Sequence, residues 1–285
     1  MNTTVEIIAH RGARSLAPEN TLAAARLAHE IGAHRWETDV GLTGDGQLVL
    51  FHDATLTRCT NAPEVFEYDP DLQEQNLGPG GFGQSIDRLD SYILLELEML
   101  DAGSYFEQTD PFSTVGTIES DTLVGYKGES IPSLYDGIVL TRDLGWKINI
   151  ELKDHNNEPQ LYHIASQTLA NLARAGMSHH NVVISSFNHG WLRWIRDRAP
   201  DIEIQALVGY HDDEPLNFAS PLFTNEEFPV LNINAKLVTP KDIRELKARG
   251  KRVNLFTVND PHDYMRFVNA GADGIITDFP QRFIR

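Results

Sequence analysis

The stretch "VEIIAHRGARSLAPENTLAAARLAHEIGAHRWETDV", residues 5–40, sets two short apolar runs on either side of a helical pattern. Glu6 to His10 reads as a buried strand and Arg35 to Val40 as a second one. Between them Thr21 to Ile31 has alanine-rich helical spacing and stops at Gly32, a C-cap signal. Strand, helix and strand in that order form a crossover unit, whose two strands lie parallel.

The same rhythm continues along the chain. Further strands are expected at Lys147 to Leu152, Val182 to Ser186, Glu203 to Val208, Val230 to Ile233, Arg252 to Thr257 and Gly274 to Thr277. Helical patterns fall at Gln160 to Ala175, His189 to Arg198, Thr239 to Arg249 and Pro261 to Ala270. Three of these stop at a glycine, and the second stops before Pro200. Eight strands alternating with helices predict an α/β fold, a (β/α)8 TIM barrel. A doubly wound open sheet is the runner-up. No G-x-G-x-x-G follows any of the strands, so a dinucleotide site is unsupported.

One region breaks the rhythm. From Ala62 to Ser130 the chain is rich in Asp, Glu, Gly and Pro, as in "YDPDLQEQNLGPGGFGQS". A strand-poor stretch of that length predicts an insertion, residues 62–130, after the second strand and over one end of a single barrel domain spanning 1–285.

Composition narrows the function. The formal net charge is -17, from 24 basic and 41 acidic residues, which argues against nucleic-acid and anionic-membrane partners. An anionic substrate would therefore need positive charge supplied locally. The one cysteine, Cys59, allows no intrachain disulfide and fits a reducing compartment. The N-terminal MNTTVEII lacks a leader pattern, and no window approaches a membrane span, so a cytoplasmic enzyme is expected.

Side chains alternate along a strand with period two. In "WETDV", Trp36, Thr38 and Val40 share one face, and Glu37 and Asp39 the other. "KINIELK" repeats the pattern, with Ile148, Ile150 and Leu152 opposite Asn149, Glu151 and Lys153. In a barrel the apolar face packs on helices, so Glu37, Asp39 and Glu151 converge inside, near the catalytic C-terminal end. Three carboxylates that close call for a hard divalent cation, and Lys153 beside them adds charge for an anionic ligand. His10, and His52 in "VLFHDATLTR", each end an apolar run and would reach the same rim. Paired there, they suit acid-base chemistry near neutral pH. Arg11 has two readings, a fork onto phosphate or a salt bridge to Glu19 or another rim carboxylate.

The order His-Arg, Glu-x-Asp, His in "AHRGARSLAPENT", "WETDVGLTGDGQLVLFHDATLTR" and "INIELK" resembles the glycerophosphodiester phosphodiesterase family, within the phosphatidylinositol-phosphodiesterase-like barrel superfamily. Echoes follow in "LDAGSYF", "GESIPSL", "VISSFN", "NLFTVND" and "GADGIITDFP", so the resemblance reaches from residue 7 to residue 280. It implies a (β/α)8 barrel with an insertion after the second strand. It also implies metal-dependent hydrolysis of a small glycerophosphodiester to glycerol 3-phosphate and an alcohol. Carried over by position, Glu37, Asp39 and Glu151 match ligands of a divalent metal, Mg²⁺ or Ca²⁺. His10 and His52 match the catalytic acid-base pair, and Arg11 and Lys153 the phosphate-contacting cations. Asn20 resembles a residue near the metal, and Glu19 a loop anchor.

Trp36 and Thr38 stand where the family more often has aliphatic residues, and neither is expected to touch the metal or acid-base set. Phe256 stands where many members have Trp, which bears on the alcohol pocket. Two rival functions are a phospholipase D-like hydrolase of lysophospholipids and a catalytically silent barrel holding a phosphorylated ligand. Elsewhere, His179 and His180 read as a loop, His155 as a neighbour of the site at most, Asp278 as a cap or turn residue, and Cys59 as an ordinary small residue.

Overall fold

The computed structural model describes residues 5–67, 87–155 and 161–284. The Gly-rich tract of residues 68–85 and the expected helix start at Gln160 lie outside them. The strands are β1 Glu6–His10, β2 Arg35–Leu42, β3 Leu48–Leu50, β4 Ile148–Leu152, β5 Val182–Ser186, β6 Glu203–Val208, β7 Val230–Asn234, β8 Arg252–Phe256 and β9 Gly274–Thr277. All except β3 are parallel, in the order β1-β9-β8-β7-β6-β5-β4-β2, and β2 pairs with β1 to close the ring. This is the (β/α)8 barrel, not the open sheet.

β3 lies outside the ring. It turns back antiparallel on the far end of β2, with Leu42 opposite Leu48 and Val40 opposite Leu50. That hairpin lengthens β2 beyond the expected Val40 and carries the chain to His52 on the rim.

The period-two reading holds through the barrel wall. Trp36 faces outward, fully buried. Its indole N–H donates to Thr141 Oγ1 (2.9 Å), and its ring stacks on Trp146 with centroids 6.5 Å apart. Thr141 belongs to a helix, Leu134–Asp143, that is absent from the predicted set. Its signal was present in the sequence: Ser133 and Asp136 form a capping box, and the Ser133 hydroxyl accepts from Asp136 N. Gly137 on this helix has to be small, since a Cβ there would lie 2.8 Å from Leu50 Cδ1.

Other helices agree with the sequence to within a turn. Leu22–Ile31 is capped by Thr21, whose hydroxyl accepts from Ala24 N (3.1 Å), and ends at Gly32 with φ 92°. Pro240–Ala248 is capped by Thr239 and Pro261–Ala270 by Asp260. His163–Ala175 starts later than expected, and His189–Arg198 matches. Between β6 and β7 the described helix is one short turn, Pro221–Thr224.

Short helices fill the described part of residues 62–130, including Leu94–Leu97, Tyr105–Thr109 and Ser120–Tyr126. They form a second apolar cluster with Phe51, Leu56, Leu89, Leu97, Phe106 and Ile131. The cluster is tied to the loop after β1. Tyr105 Oη accepts from Glu19 N (3.1 Å), and Tyr126 Oη donates to Leu16 O (3.1 Å). Among the described residues no helix is long and apolar enough to cross a membrane.

Candidate active site

The inner face of the barrel is polar. Deep inside, Ser185 Oγ donates to Asn149 Oδ1 (2.9 Å) and Asn254 Nδ2 to Asn232 Oδ1 (2.9 Å). One layer nearer the C-terminal rim the polar groups become charged. Register places Glu37 beside Asn149 and Asp39 beside Glu151 on adjacent strands. Glu37, Asp39 and Glu151 each bring an oxygen within 4.8 Å of the others.

These oxygens are ready for a cation. Glu37 Oε1 and Asp39 Oδ1 are buried and accept no hydrogen bond. Leaving such acceptors bare costs about 1–3 kcal/mol each, more when charged. Hard oxygen donors in this number suit a divalent ion such as Mg²⁺ or Ca²⁺. Without one the acids strain against each other. Burial and the neighbouring Asp39 and Glu151 push Glu37 well above the usual carboxylate range. Burial pushes Asp39 the same way, but Arg11, His52 and Lys153 outweigh it and hold Asp39 well below that range.

Arg11 adopts the salt-bridge alternative. Its Nη1 donates to Glu19 Oε1 (2.7 Å), and its Nε lies 3.0 Å from Asp39 Oδ2. Burial works against its charge, yet Asp39, Glu19 and Glu37 together strengthen it. Its backbone N–H donates to Glu37 Oε2 (2.9 Å), a bond made available by its left-handed backbone, φ 55°. Glu19 gathers three arginines: Arg14 (2.8 Å) and Arg58 (2.7 Å) bind it as well as Arg11. Lys153 donates to Glu151 Oε1 (2.7 Å) and stands 3.6 Å from Asp39 Oδ1.

Asn20 lies against the acids. Its Nδ2 donates to Asp39 Oδ2 (3.0 Å), and its Oδ1 accepts from Asp39 N (3.1 Å) and Thr38 Oγ1 (2.9 Å). Thr38 thus supports Asn20 through its hydroxyl, where an aliphatic side chain could not, and is linked to the acids through Asn20. Asn20 tolerates its left-handed φ of 57° because its short amide is at ease there.

Both histidines are held by aspartates. His10 Nδ1 lies 2.6 Å from Asp278 Oδ1, and His52 Nδ1 lies 2.5 Å from Asp53 Oδ1. Burial would raise the Asp278 pKa, but His10 and Arg14 draw it down to about 2. An ionised carboxylate only accepts, so His10 Nδ1 carries the proton and Nε2, 4.0 Å from Glu37 Oε2, keeps its lone pair toward the acids. Asp53 is anchored by Arg58 Nε (2.5 Å), and His52 Nδ1 donates to it in the same way. His155 supports the rim by donating from Nε2 to His52 O (3.0 Å). Burial holds the His10 pKa below its ordinary value, with Asp278 opposing and Arg11 adding to the effect.

Asp278 was read as a cap or turn residue. Its backbone N–H does close a turn onto Asn259 Oδ1 (2.9 Å), but its carboxylate serves His10 and takes Asn259 Nδ2 (2.7 Å). Asp278 gives a stability test. Its carboxyl is depressed in the folded chain, so its contribution is complete above the unfolded pKa near 4 and fades as pH falls toward 2. Asp278→Asn is expected to cost about 2 kcal/mol in urea unfolding at pH 7 and about half of that at pH 3. An equal cost at both pH values would contradict the charge pairing.

His10, Arg11, His52, Glu151 and Lys153 open into a cleft of about 530 Å³ walled by Phe187, Tyr210 and Phe256. His179 and His180 lie in a short turn before β5, away from this rim, as expected of a loop. Cys59 is buried under the insertion, its thiol pushed up to about 12 chiefly by burial.

Fold and site together define a barrel enzyme in which two aspartate-held histidines and two cationic side chains ring an acidic pit. The sequence profile of the Glycerophosphoryl diester phosphodiesterase family matches residues 10–282, and the chain belongs to that family of phosphoric diester hydrolases. A glycerophosphodiester phosphodiesterase from Caldanaerobacter subterraneus subsp. tengcongensis is 33% identical over 279 residues, covering 98% of this chain and 96% of that protein. An Oleispira antarctica phosphodiesterase, solved in complex with the product sn-glycerol-3-phosphate, superposes with a TM-score of 0.75 at 27% identity, covering 97% of this chain and 94% of that one. A Silicibacter pomeroyi structure at 24% identity and a TM-score of 0.77, covering 99% and 92%, shares the fold.

Proposed function

We propose that this chain hydrolyses glycerophosphodiesters to glycerol 3-phosphate and an alcohol, with Glu37, Asp39 and Glu151 holding a divalent cation. The carrying observation is the pair of bare, buried carboxylate oxygens at Glu37 and Asp39, set beneath two aspartate-anchored histidines. A bound cation would polarise the phosphoryl oxygens and offset the charge that grows on them. The protein supplies the rest. Lys153 hydrogen-bonds a non-bridging oxygen, and Arg11 adds charge from the cleft wall while holding Asp39 in place. One histidine takes the proton of the attacking hydroxyl at Nε2, and the other returns a proton to the departing alkoxide. The attacking group is water or the glycerol 2-hydroxyl, the latter giving a cyclic phosphate before ring opening.

The cleft also bears on the lysophospholipid alternative. Apart from its three aromatic side chains it is lined by polar groups, which suits a small hydrophilic diester better than an acyl chain. We further read the chain as cytoplasmic, on its lone, buried cysteine.

Phosphorus NMR of glycerophosphocholine digests tests the reading. Glycerol 3-phosphate is expected, with a cyclic species visible in transit if the 2-hydroxyl attacks. Chelation is expected to lower the rate about a hundredfold or more, with recovery on adding Mg²⁺ or Ca²⁺. Full activity after thorough chelation would refute the cation's place.

A further inference from the structure

Glu19 lies one arginine away from each part of the machinery. Its side chain is 5% exposed, and Oε1 takes Arg11 Nη1 and Arg58 Nη2 at 2.7 Å each. Oε2 takes Arg14 Nη2 at 2.8 Å. Burial works against its charge, yet Arg11, Arg14 and Arg58 outweigh burial and hold the carboxyl well below its usual range. One guanidinium is enough to compensate one buried carboxylate. Three converge here, and each turns another donor to a different aspartate.

Arg11 Nε stands 3.0 Å from Asp39 Oδ2, within the acid set. Arg14 Nη1 stands 3.5 Å from Asp278 Oδ1, the oxygen that holds His10. Arg58 Nε lies 2.5 Å from Asp53 Oδ2, and the other oxygen of Asp53 holds His52. The two imidazoles come from separate elements, one at the end of β1 and one after β3. Their supports nonetheless meet on one carboxylate. The insertion braces that meeting point, since Tyr105 Oη accepts from Glu19 N (3.1 Å) and the Arg14 guanidinium lies 5.1 Å from the centre of the Phe112 ring. An acid and a base that serve one phosphorus must both keep their places to within about 0.5 Å.

We infer that Glu19 is a positioning residue that fixes the two histidines relative to each other and to the cation acids, acting through Arg14, Arg58 and Arg11. This rests on the phosphodiesterase reading above. Glu19 acts only through the arginines, so it governs kcat and leaves KM nearly unchanged.

The test is steady-state kinetics on glycerophosphocholine with the full chain and divalent cation present. Arg14→Met and Arg58→Met are each expected to lower kcat about tenfold, and Glu19→Gln about a hundredfold, with KM within about twofold of wild type. Effects carried by one shared group do not multiply. Adding Arg58→Met to Glu19→Gln should therefore cost less than about threefold further, although Arg58→Met alone costs about tenfold. A thermal melt of each variant reports folding separately. If Glu19→Gln does not fold, the Arg14→Met and Arg58→Met pair decides, with a combined loss well short of the product of the single losses expected. Losses that multiply would overturn the proposal, as would a wild-type kcat in the single variants or a change confined to KM. Those outcomes leave the phosphodiesterase reading standing, because the wild-type chain still cleaves the diester. A wild-type chain that leaves glycerophosphocholine and other glycerophosphodiesters intact would overturn both.

Discussion

Replacing His10 or His52 by alanine is expected to lower turnover about 10²–10⁴-fold, the usual worth of one positioned acid or base. The effect should fall on kcat, since neither imidazole is assigned to bind the phosphate. His10 is the more informative of the two. Its Nδ1 contact with Asp278 is lost with the ring, so the His10→Ala chain also leaves an aspartate beside Arg14 (3.5 Å) and Asn259 (2.7 Å). Those partners keep Asp278 satisfied, so the fold should survive. Steady-state kinetics with a thermal melt separate the two effects. A His10→Ala or His52→Ala chain that turns over at the wild-type rate would remove that histidine from the mechanism.

Arg11→Met should produce the largest change in stability. Arg11 is 8% exposed and lies among Glu19, Glu37 and Asp39. Glu19 would retain Arg14 and Arg58, so the damage concentrates on Asp39 and Glu37. Breaking a buried ion pair from one side costs about 3–5 kcal/mol, because the remaining charge loses its compensation. A divalent cation bound to the native acids would return part of that loss, through the ordinary linkage of binding to folding. Urea unfolding of Arg11→Met with chelator and with excess Mg²⁺ or Ca²⁺ checks both halves. An unfolding midpoint equal to wild type in chelator would show that Arg11 does not hold the acids together.

The barrel was legible because its strands and helices carry local signals. Two apolar runs around Thr21–Gly32 already imply a crossover, and the alternation in "WETDV" and "KINIELK" separates the wall from the pit. Boundaries moved by a residue or so where a cap was counted as the first turn, at Thr21 and Thr239. The helix Leu134–Asp143 escaped because it follows a long irregular stretch, although its capping box was in plain sight.

The site divides along the same line. Glu37, Asp39 and Glu151 could be brought together from strand period alone, since their register follows from neighbouring strands. Asp278 could not. It is 268 residues from His10, and no local pattern distinguishes an aspartate that closes a turn from one that also holds an imidazole. Arg11 likewise offered two partners on paper, and only burial among three acids decided between them.

The meeting of β1 with β9 has a consequence for how the enzyme becomes competent during its manufacture. In the order of synthesis β1 emerges well before its neighbour β9 and before the partner of His10. A nascent chain, or one truncated after β8, has an open ring and an imidazole with no carboxylate to orient it. Ring closure and the arming of His10 are thus a single late event. Fragments and unfinished chains carry most of the reactive residues but lack the arrangement that lets them act.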